Sequence, residues 1–180
     1  MLRTKDILDE KDPRVRAKNT DVDFPLNDEY KDIIPEMLKH LRYSQIEKLS
    51  KKYDLRPGMG LAAPQLGINK NFFVVCYEVK DGVFDDYILI NPKVISYSEE
   101  MIYAGEGEGC LSVNREVEGI VPRHARITVE AYDLDGNKRK YRVREDLAIA
   151  FQHELDHLNG ILFVDYIDPK DPYKNADLYR

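Results

Sequence analysis

Near the C-terminal end of the chain, Gln152-His153-Glu154-Leu155-Asp156-His157 sets two histidines four residues apart, with a glutamate beside the first. On an α-helix this spacing puts both imidazoles on one face, one turn apart, so both can reach a single metal ion. Glu154 is then placed to handle the protons of a water on that metal, the chemistry of metal-dependent hydrolases. The third ligand decides which kind of hydrolase the segment implies.

Downstream there is almost nothing to choose from. After His157 the chain contains no His, Glu or Cys, only Asp165, Asp168, Asp171 and Asp177. The extended pattern H-E-x-x-H-x-x-G-x-x-H finds its glycine at Gly160, but Phe163 occupies the position of the third histidine. Gly160 reads better as the residue that ends the helix. The third ligand must come from upstream, and the best candidate is Cys110 in Gly107-Glu108-Gly109-Cys110-Leu111-Ser112. A lone cysteine is more often an inert buried thiol. Here Gly105, Gly107 and Gly109 shift the balance, because glycines allow a backbone to approach another group closely. A thiolate with two imidazoles gives Zn²⁺ or Fe²⁺ three protein ligands and leaves the fourth position open.

A chain of 180 residues is expected to form one domain over 1–180, large enough to bury a core without staples. With 43% hydrophobic and 33% charged residues it has the composition of a globular protein. A net charge of −6 argues against nucleic acid as the main partner, so no direct nucleic-acid contact is expected. No apolar run approaches a membrane span, and Met1-Leu2-Arg3-Thr4-Lys5-Asp6 leads into charge, not a signal-peptide core. The two cysteines have unlike surroundings. Cys76 lies in the apolar run Phe72-Phe73-Val74-Val75-Cys76-Tyr77 and reads as a buried structural thiol, which points to a reducing cytoplasm.

The pattern predicts an α+β fold. An extended arm runs to Phe24-Pro25-Leu26. One long helix follows, capped by Asn27 and stopped before Arg56-Pro57-Gly58, with Pro35 as a point of kinking or delay. Strands are expected at 72–79, at 87–90, from Lys93 to Tyr103, at 127–132 and at 140–143, with Asn91-Pro92 splitting the second from the third. Asp135-Gly136-Asn137 marks a hairpin. A helix then begins near Glu145, its stripe Leu147, Phe151, Leu155 and Leu158 packing inward and holding the histidines at fixed height. Ile161-Leu162-Phe163-Val164 reads as strand-like, followed by a loose tail carrying Pro169 and Pro172.

Gly58-Met59-Gly60-Leu61-Ala62-Ala63-Pro64-Gln65 is built of small and apolar residues, so it should lie against the core. Gln65 is then a polar amide in an apolar setting, which needs a partner or a function, such as an N–H aimed at a developing oxyanion. His124 and His40 lack partners at ligand spacing and read as structural or surface residues. Two other readings of the motif stay open: a zinc endopeptidase of the H-E-x-x-H type, and a non-catalytic metal-binding module.

Taken together, the Gly58–Gln65 stretch, Glu108-Gly109-Cys110-Leu111-Ser112 and Gln152–His157 resemble the three signature motifs of the peptide deformylases, in the same order. The segment between Phe24 and Arg56, the approach to Cys110 and Val121-Pro122-Arg123-His124 are similar to the longer, Gram-positive-type branch of that family. The resemblance implies a bacterial hydrolase of N-terminal methionine processing in protein biosynthesis. It would remove the formyl group from formyl-Met nascent polypeptides and release formate. It also implies one Fe²⁺ per chain, replaceable by Ni²⁺, Co²⁺ or Zn²⁺, held by Cys110, His153 and His157. Glu154 would act as general base and acid, while the Gln65 side-chain amide and the Leu111 backbone N–H bind the oxyanion. By the same resemblance Gly58, Gly60 and Gly109 offer backbone to the substrate, and Ile149 and Ala150 line the methionine pocket. A monomer is expected. Some deformylases carry a basic C-terminal helix that contacts the ribosome. The tail here, with two prolines and mixed charge, departs from that, which puts this mode of transient ribosome contact in doubt.

Overall fold

A computed structural model describes residues 1–179. The helix expected after Asn27 forms as α1 (Asp28–Ser44), with the Asn27 side chain accepting the Glu29 N–H at 2.8 Å. Asp28 and Glu29 in its first turn suit the positive end of the helix dipole. Pro35 sits inside α1 without ending it. The helix does not run on to Arg56: it stops at Ser44, and a separate α2 (Glu47–Tyr53) follows. The break has a local cause. Gln45 Nε2 donates to the carbonyls of Gly58 at 3.1 Å and Cys76 at 2.8 Å, so tertiary bonds hold the residue that would have continued the helix.

Five strands form an antiparallel sheet in the order β1-β2-β3-β6-β7: β1 (Gly60–Ala62), β2 (Phe72–Lys80), β3 (Val83–Tyr97), β6 (Arg126–Tyr132) and β7 (Lys138–Arg144). The short β4 (Met101–Ile102) and β5 (Arg123–His124) pair separately. The first part of β2, Phe72 to Cys76, is buried on both faces. Phe72, Val74 and Cys76 point to the α1 side with Ile34, Met37 and Leu41. Phe73 and Val75 point to the other side, against Phe151 of α3 (Glu145–Leu158). Phe151 meets Phe73, Tyr87 and Tyr141 edge-on at 5.5–6.2 Å, and an interior aromatic of this kind is worth about 3–5 kcal/mol over alanine. That contact fixes α3, and with it the histidines, to the sheet.

Several expectations are corrected. Asn91-Pro92 does not divide two strands: β3 passes through it, with register shifts between Ile90 and Lys93 and between Val94 and Ser96. Asn91 adopts φ 51° and its amide exchanges hydrogen bonds with the Val22 backbone at 2.8 and 2.9 Å, so the irregularity fastens the N-terminal arm. That arm is not simply extended. It contains 3-10 turns at Thr4–Asp6 and Pro13–Val15 and buries Ile7, Val15, Val22 and Leu26. The strand-like Ile161–Val164 is replaced by a 3-10 turn, Phe163–Tyr166, because the Asp165 carboxylate accepts the Leu162 N–H at 3.0 Å and is gripped by Arg16.

On α3 the buried set is shifted from the expected stripe. Ala148, Ile149, Glu154 and His157 are buried with Phe151 and Leu158, while Leu147 and Leu155 are only half-buried. Gly160, at φ +71°, ends the helix as predicted, its N–H reaching the His157 carbonyl at 3.1 Å. Beyond Tyr166 the described chain has turns and one short 3-10 helix, Ala176–Leu178. Among the described residues no helix is long and apolar enough to cross a membrane.

Candidate metal centre

Three pieces of chain converge beside α3: β1 with the turn after it, the loop between β4 and β5, and α3 itself. Cys110 Sγ lies 3.3 Å from His157 Nε2, and the ligand atoms of Cys110, His153 and His157 all fall within 4.8 Å of one another. The donor set fits a divalent metal of the zinc or ferrous type, with one soft thiolate, two imidazoles and an open side. His153 Nδ1 is hydrogen-bonded to Glu108 Oε1 at 2.8 Å, which leaves Nε2 as its ligand atom. Burial disfavours the charged form of both imidazoles. At His153, bonds to Cys110 and Glu108 overturn this and raise the pKa; at His157, burial and the charge on His153 act together and lower it.

Behind the ligands stands a group that motif spacing does not reveal. Arg123, 3% exposed, binds both Glu108 oxygens at 2.8 and 2.9 Å and Asp156 at 2.6 Å. Burial alone raises the Glu108 pKa, but hydrogen bonds from Arg123 and His153 outweigh it and hold the carboxyl below its usual range. One guanidinium thus ties the cysteine loop to the histidine helix, and Glu108 passes that order to His153. The signal in the sequence is faint: a carboxylate two residues before the thiol, and an arginine after the apolar Val121-Pro122.

Glu154 is 3% exposed, with Oε1 3.9 Å from His153 Nε2 and Oε2 lacking any hydrogen-bond partner. Burial pushes its carboxyl up to about 7, although His153 pulls the other way. A Cβ added at Gly60 would stand 2.6 Å from Glu154 Oε1, so only glycine lets β1 lie this close. Gly60→Ala is therefore expected to displace the carboxylate and lower kcat by roughly 10²-fold, the scale of a 1 Å misplacement. The metal content of the variant should not change. Steady-state kinetics with metal analysis checks this, and an unchanged kcat contradicts it.

Gln65 is buried: its Oε1 accepts the Ala62 N–H at 2.9 Å, and its Nε2 donates to Ser112 Oγ at 3.1 Å and lies 3.7 Å from Cys110 Sγ. A cleft of about 1070 Å³ opens over this arrangement. Gly58, Gly60, Gln65, Gly109, Cys110, Leu111, Ile149, Ala150, His153 and Glu154 all line it, while His157 sits behind. The glycines around Cys110 do not all serve close approach. A Cβ at Gly105 or Gly109 would meet nothing within 4 Å, and only Gly107, at φ +82°, faces another backbone atom, Gly119 O at 3.0 Å. His124 and His40 stay outside the centre, their Nδ1 atoms bonded to the carbonyls of Ser98 and Leu2.

An α+β scaffold that turns a Cys-His-His set and a spare carboxylate into an open cleft defines a metal-dependent hydrolase. Comparison with known proteins narrows the class. The family profile described as polypeptide deformylase matches residues 4–173. A peptide deformylase of Macrococcus caseolyticus is 50% identical over 175 residues, covering 97% of this chain and 95% of its own. Peptide deformylase 2 of Bacillus anthracis is 45% identical, covering 98% and 96%. Among solved structures, the peptide deformylase of Thermotoga maritima is 33% identical with a TM-score of 0.69, covering 91% of this chain and 97% of that one. A probable peptide deformylase from Synechococcus phage S-SSM7 is 35% identical with a TM-score of 0.74, covering 89% and 98%. The chain belongs to the polypeptide deformylase family, and the resemblance carried by its three motifs holds over nearly its full length.

Proposed function

We propose that this chain is a single catalytic domain, a monomer acting in the cytoplasm, that hydrolyses the formyl group from formyl-Met nascent polypeptides and releases formate. The observation that carries this reading is the buried Glu154 carboxylate, its Oε2 without a hydrogen-bond partner, set in the cleft with Cys110 and His153 and with His157 behind them. Fe²⁺ is the ion this donor set would hold in the cell, with Ni²⁺, Co²⁺ or Zn²⁺ as substitutes. When bound, such an ion supplies Lewis acidity to a carbonyl and lowers the pKa of a water.

The residues do the rest. Glu154 takes a proton from the attacking water as the new C–O bond forms and the carbonyl π electrons move onto oxygen, then delivers it to the amine nitrogen as the oxyanion collapses and the C–N bond breaks. The Gln65 amide N–H and the Leu111 backbone N–H face the developing oxyanion. Gly58, Gly60 and Gly109 offer backbone along the cleft, and Ile149 and Ala150 give apolar wall for the methionine side chain. A formyl group is small, and the walls that hold it also exclude bulk water.

The endopeptidase reading loses support at Phe163. The residue in the third-histidine position stacks on His153, with ring centroids 6.0 Å apart. The non-catalytic reading has no use for a buried carboxylate with one unbonded oxygen beside an open coordination side. A direct test compares formate release from a formyl-Met peptide with cleavage of casein; casein cleavage without formate release would reverse the assignment. Cys110→Ser is expected to weaken metal retention by at least about tenfold, since a hydroxyl is a poorer ligand than a thiolate. Metal analysis after dialysis against a chelator reads this, and full retention would place the third ligand elsewhere.

A further inference from the structure

The sheet is covered unevenly. α3 packs along β1, β2, β6 and β7, whereas α1 packs on β1, β2 and β3. Strand alternation then sorts the side chains of the far end. Ile127, Val129, Ala131 and Val143 are buried toward α3, and the alternate positions of β6 and β7 point the opposite way, where α1 does not reach. On this face Arg126 stands opposite Arg144, Thr128 opposite Arg142, and Glu130 opposite Lys140 on one side and Lys93 on the other. Lys138 completes the row at the hairpin end, opposite Tyr132.

Six exposed cations thus share one face of a chain whose net charge is −6: Lys93, Arg126, Lys138, Lys140, Arg142 and Arg144. Carboxylates paired with them are Glu130, with Lys138 and Lys140, and Glu100, with Arg126; Asp21 shares a groove with Lys93 and Lys138, and Glu145 follows Arg144 in the chain.

Edge strands are often blunted with lysine to prevent pairing with another sheet, and β7 is an edge. That need does not explain the row. It extends inward to Arg126 on β6, a strand that lies between β3 and β7, while Lys93 stands on the stretch of β3 that runs past the end of β2. It also sets Arg126 directly across from Arg144, and like charges so placed destabilise a sheet. The whole-chain charge that argued against a polyanionic partner is a sum, and it hides this local reversal of sign.

We propose that this face docks on the phosphate backbone of RNA. Alternate side chains along β7 repeat at roughly 6.8 Å, giving a rigid row of cations suited to a polyanion. The hydroxyls of Ser96 and Thr128 between them are of the type that hydrogen-bonds phosphate oxygens. A membrane surface fits less well, because the exposed aliphatic side chains beside the row are Val94 and Ile95 of β3, too few for the broad apolar face that interfacial binding uses. The choice of RNA rests on the function proposed above, whose substrate is made on an RNA-rich particle. The cleft lies on the α3 side of the sheet, so docking here leaves it open.

The test measures binding of a fluorescein-labelled RNA hairpin to the full chain across a salt series. Binding is expected to weaken with salt at a log–log slope of roughly −3, the value for three to four neutralised phosphates. Arg142→Glu combined with Arg144→Glu should weaken it at least about tenfold and make the slope shallower by about two. Lys48→Glu combined with Lys52→Glu, an equal charge change on α2, should leave it near the parent value. Arg142→Gln with Arg144→Gln gives a milder version should the reversal unfold the protein. Formate release from a free formyl-Met peptide should persist in all of these. No RNA binding by the parent, equal losses in both double variants, or binding to phosphatidylserine vesicles in place of RNA would overturn the proposal. RNA binding by a protein that releases no formate would keep this surface and remove the function proposed above.

Discussion

Glu154→Gln is expected to fold, keep its metal and lose at least about 10²-fold in kcat, the usual contribution of a general acid–base group. The substitution is nearly isosteric, so the close approach of Gly60, where an added Cβ would lie 2.6 Å from Glu154 Oε1, need not change. What changes is the ability to accept a proton. The ligand atoms belong to Cys110, His153 and His157, so metal content should match the parent. KM should move little, because Glu154 acts on the water and the leaving amine and not on the extended peptide. Kinetics and metal analysis on the same preparation read both quantities. Activity within a few-fold of the parent would remove Glu154 from the chemistry, and loss of metal with loss of activity would make it a structural support.

Arg123→Met carries the largest expected loss of stability. The guanidinium is buried between Glu108 and Asp156, with side chains 4%, 5% and 17% exposed. Removing one partner of a buried ion pair typically costs about 3–5 kcal/mol, because the carboxylates left behind stay desolvated. A urea titration should show the midpoint fall without a change of slope. Metal affinity should fall as well, since Glu108 would lose the bonds that aim it at His153 Nδ1. Arg123→Lys keeps the charge but lacks the planar fork, and should lie between the two. A midpoint unchanged by Arg123→Met would show that the network contributes nothing to the fold.

The site was legible in the sequence to the extent that its chemistry depends on spacing. Two histidines at i and i+4, a glutamate between them and the absence of any downstream ligand lead to Cys110 without structural information. Arg123 escaped because it acts through space: it lies 33 residues before Asp156 and 15 after Glu108, and no periodicity links them. The errors in the elements have the same origin. The apolar repeat continues past Ser44, but Gln45 is claimed by the carbonyls of Gly58 and Cys76, so one expected helix became two. Asn91-Pro92 reads as a break, yet Asn91 bonded to Val22 turns it into an irregularity within β3. On α3 the leucine stripe suggested a single buried face. The helix is covered by the sheet on one side and by the cysteine loop on another, so Glu154 and His157 are buried while Leu147 and Leu155 are not.

The most direct measurement of the central claim is formate release from a formyl-Met peptide during stepwise metal loading of the stripped protein under anaerobic conditions. Activity is expected to be absent at the start and to rise with added Fe²⁺ or Ni²⁺. It should stop rising at one ion per chain, and the Cys110→Ser variant should fail to follow at the same metal concentrations. Formate release by the stripped protein, or none from a fully loaded and folded one, would contradict the account.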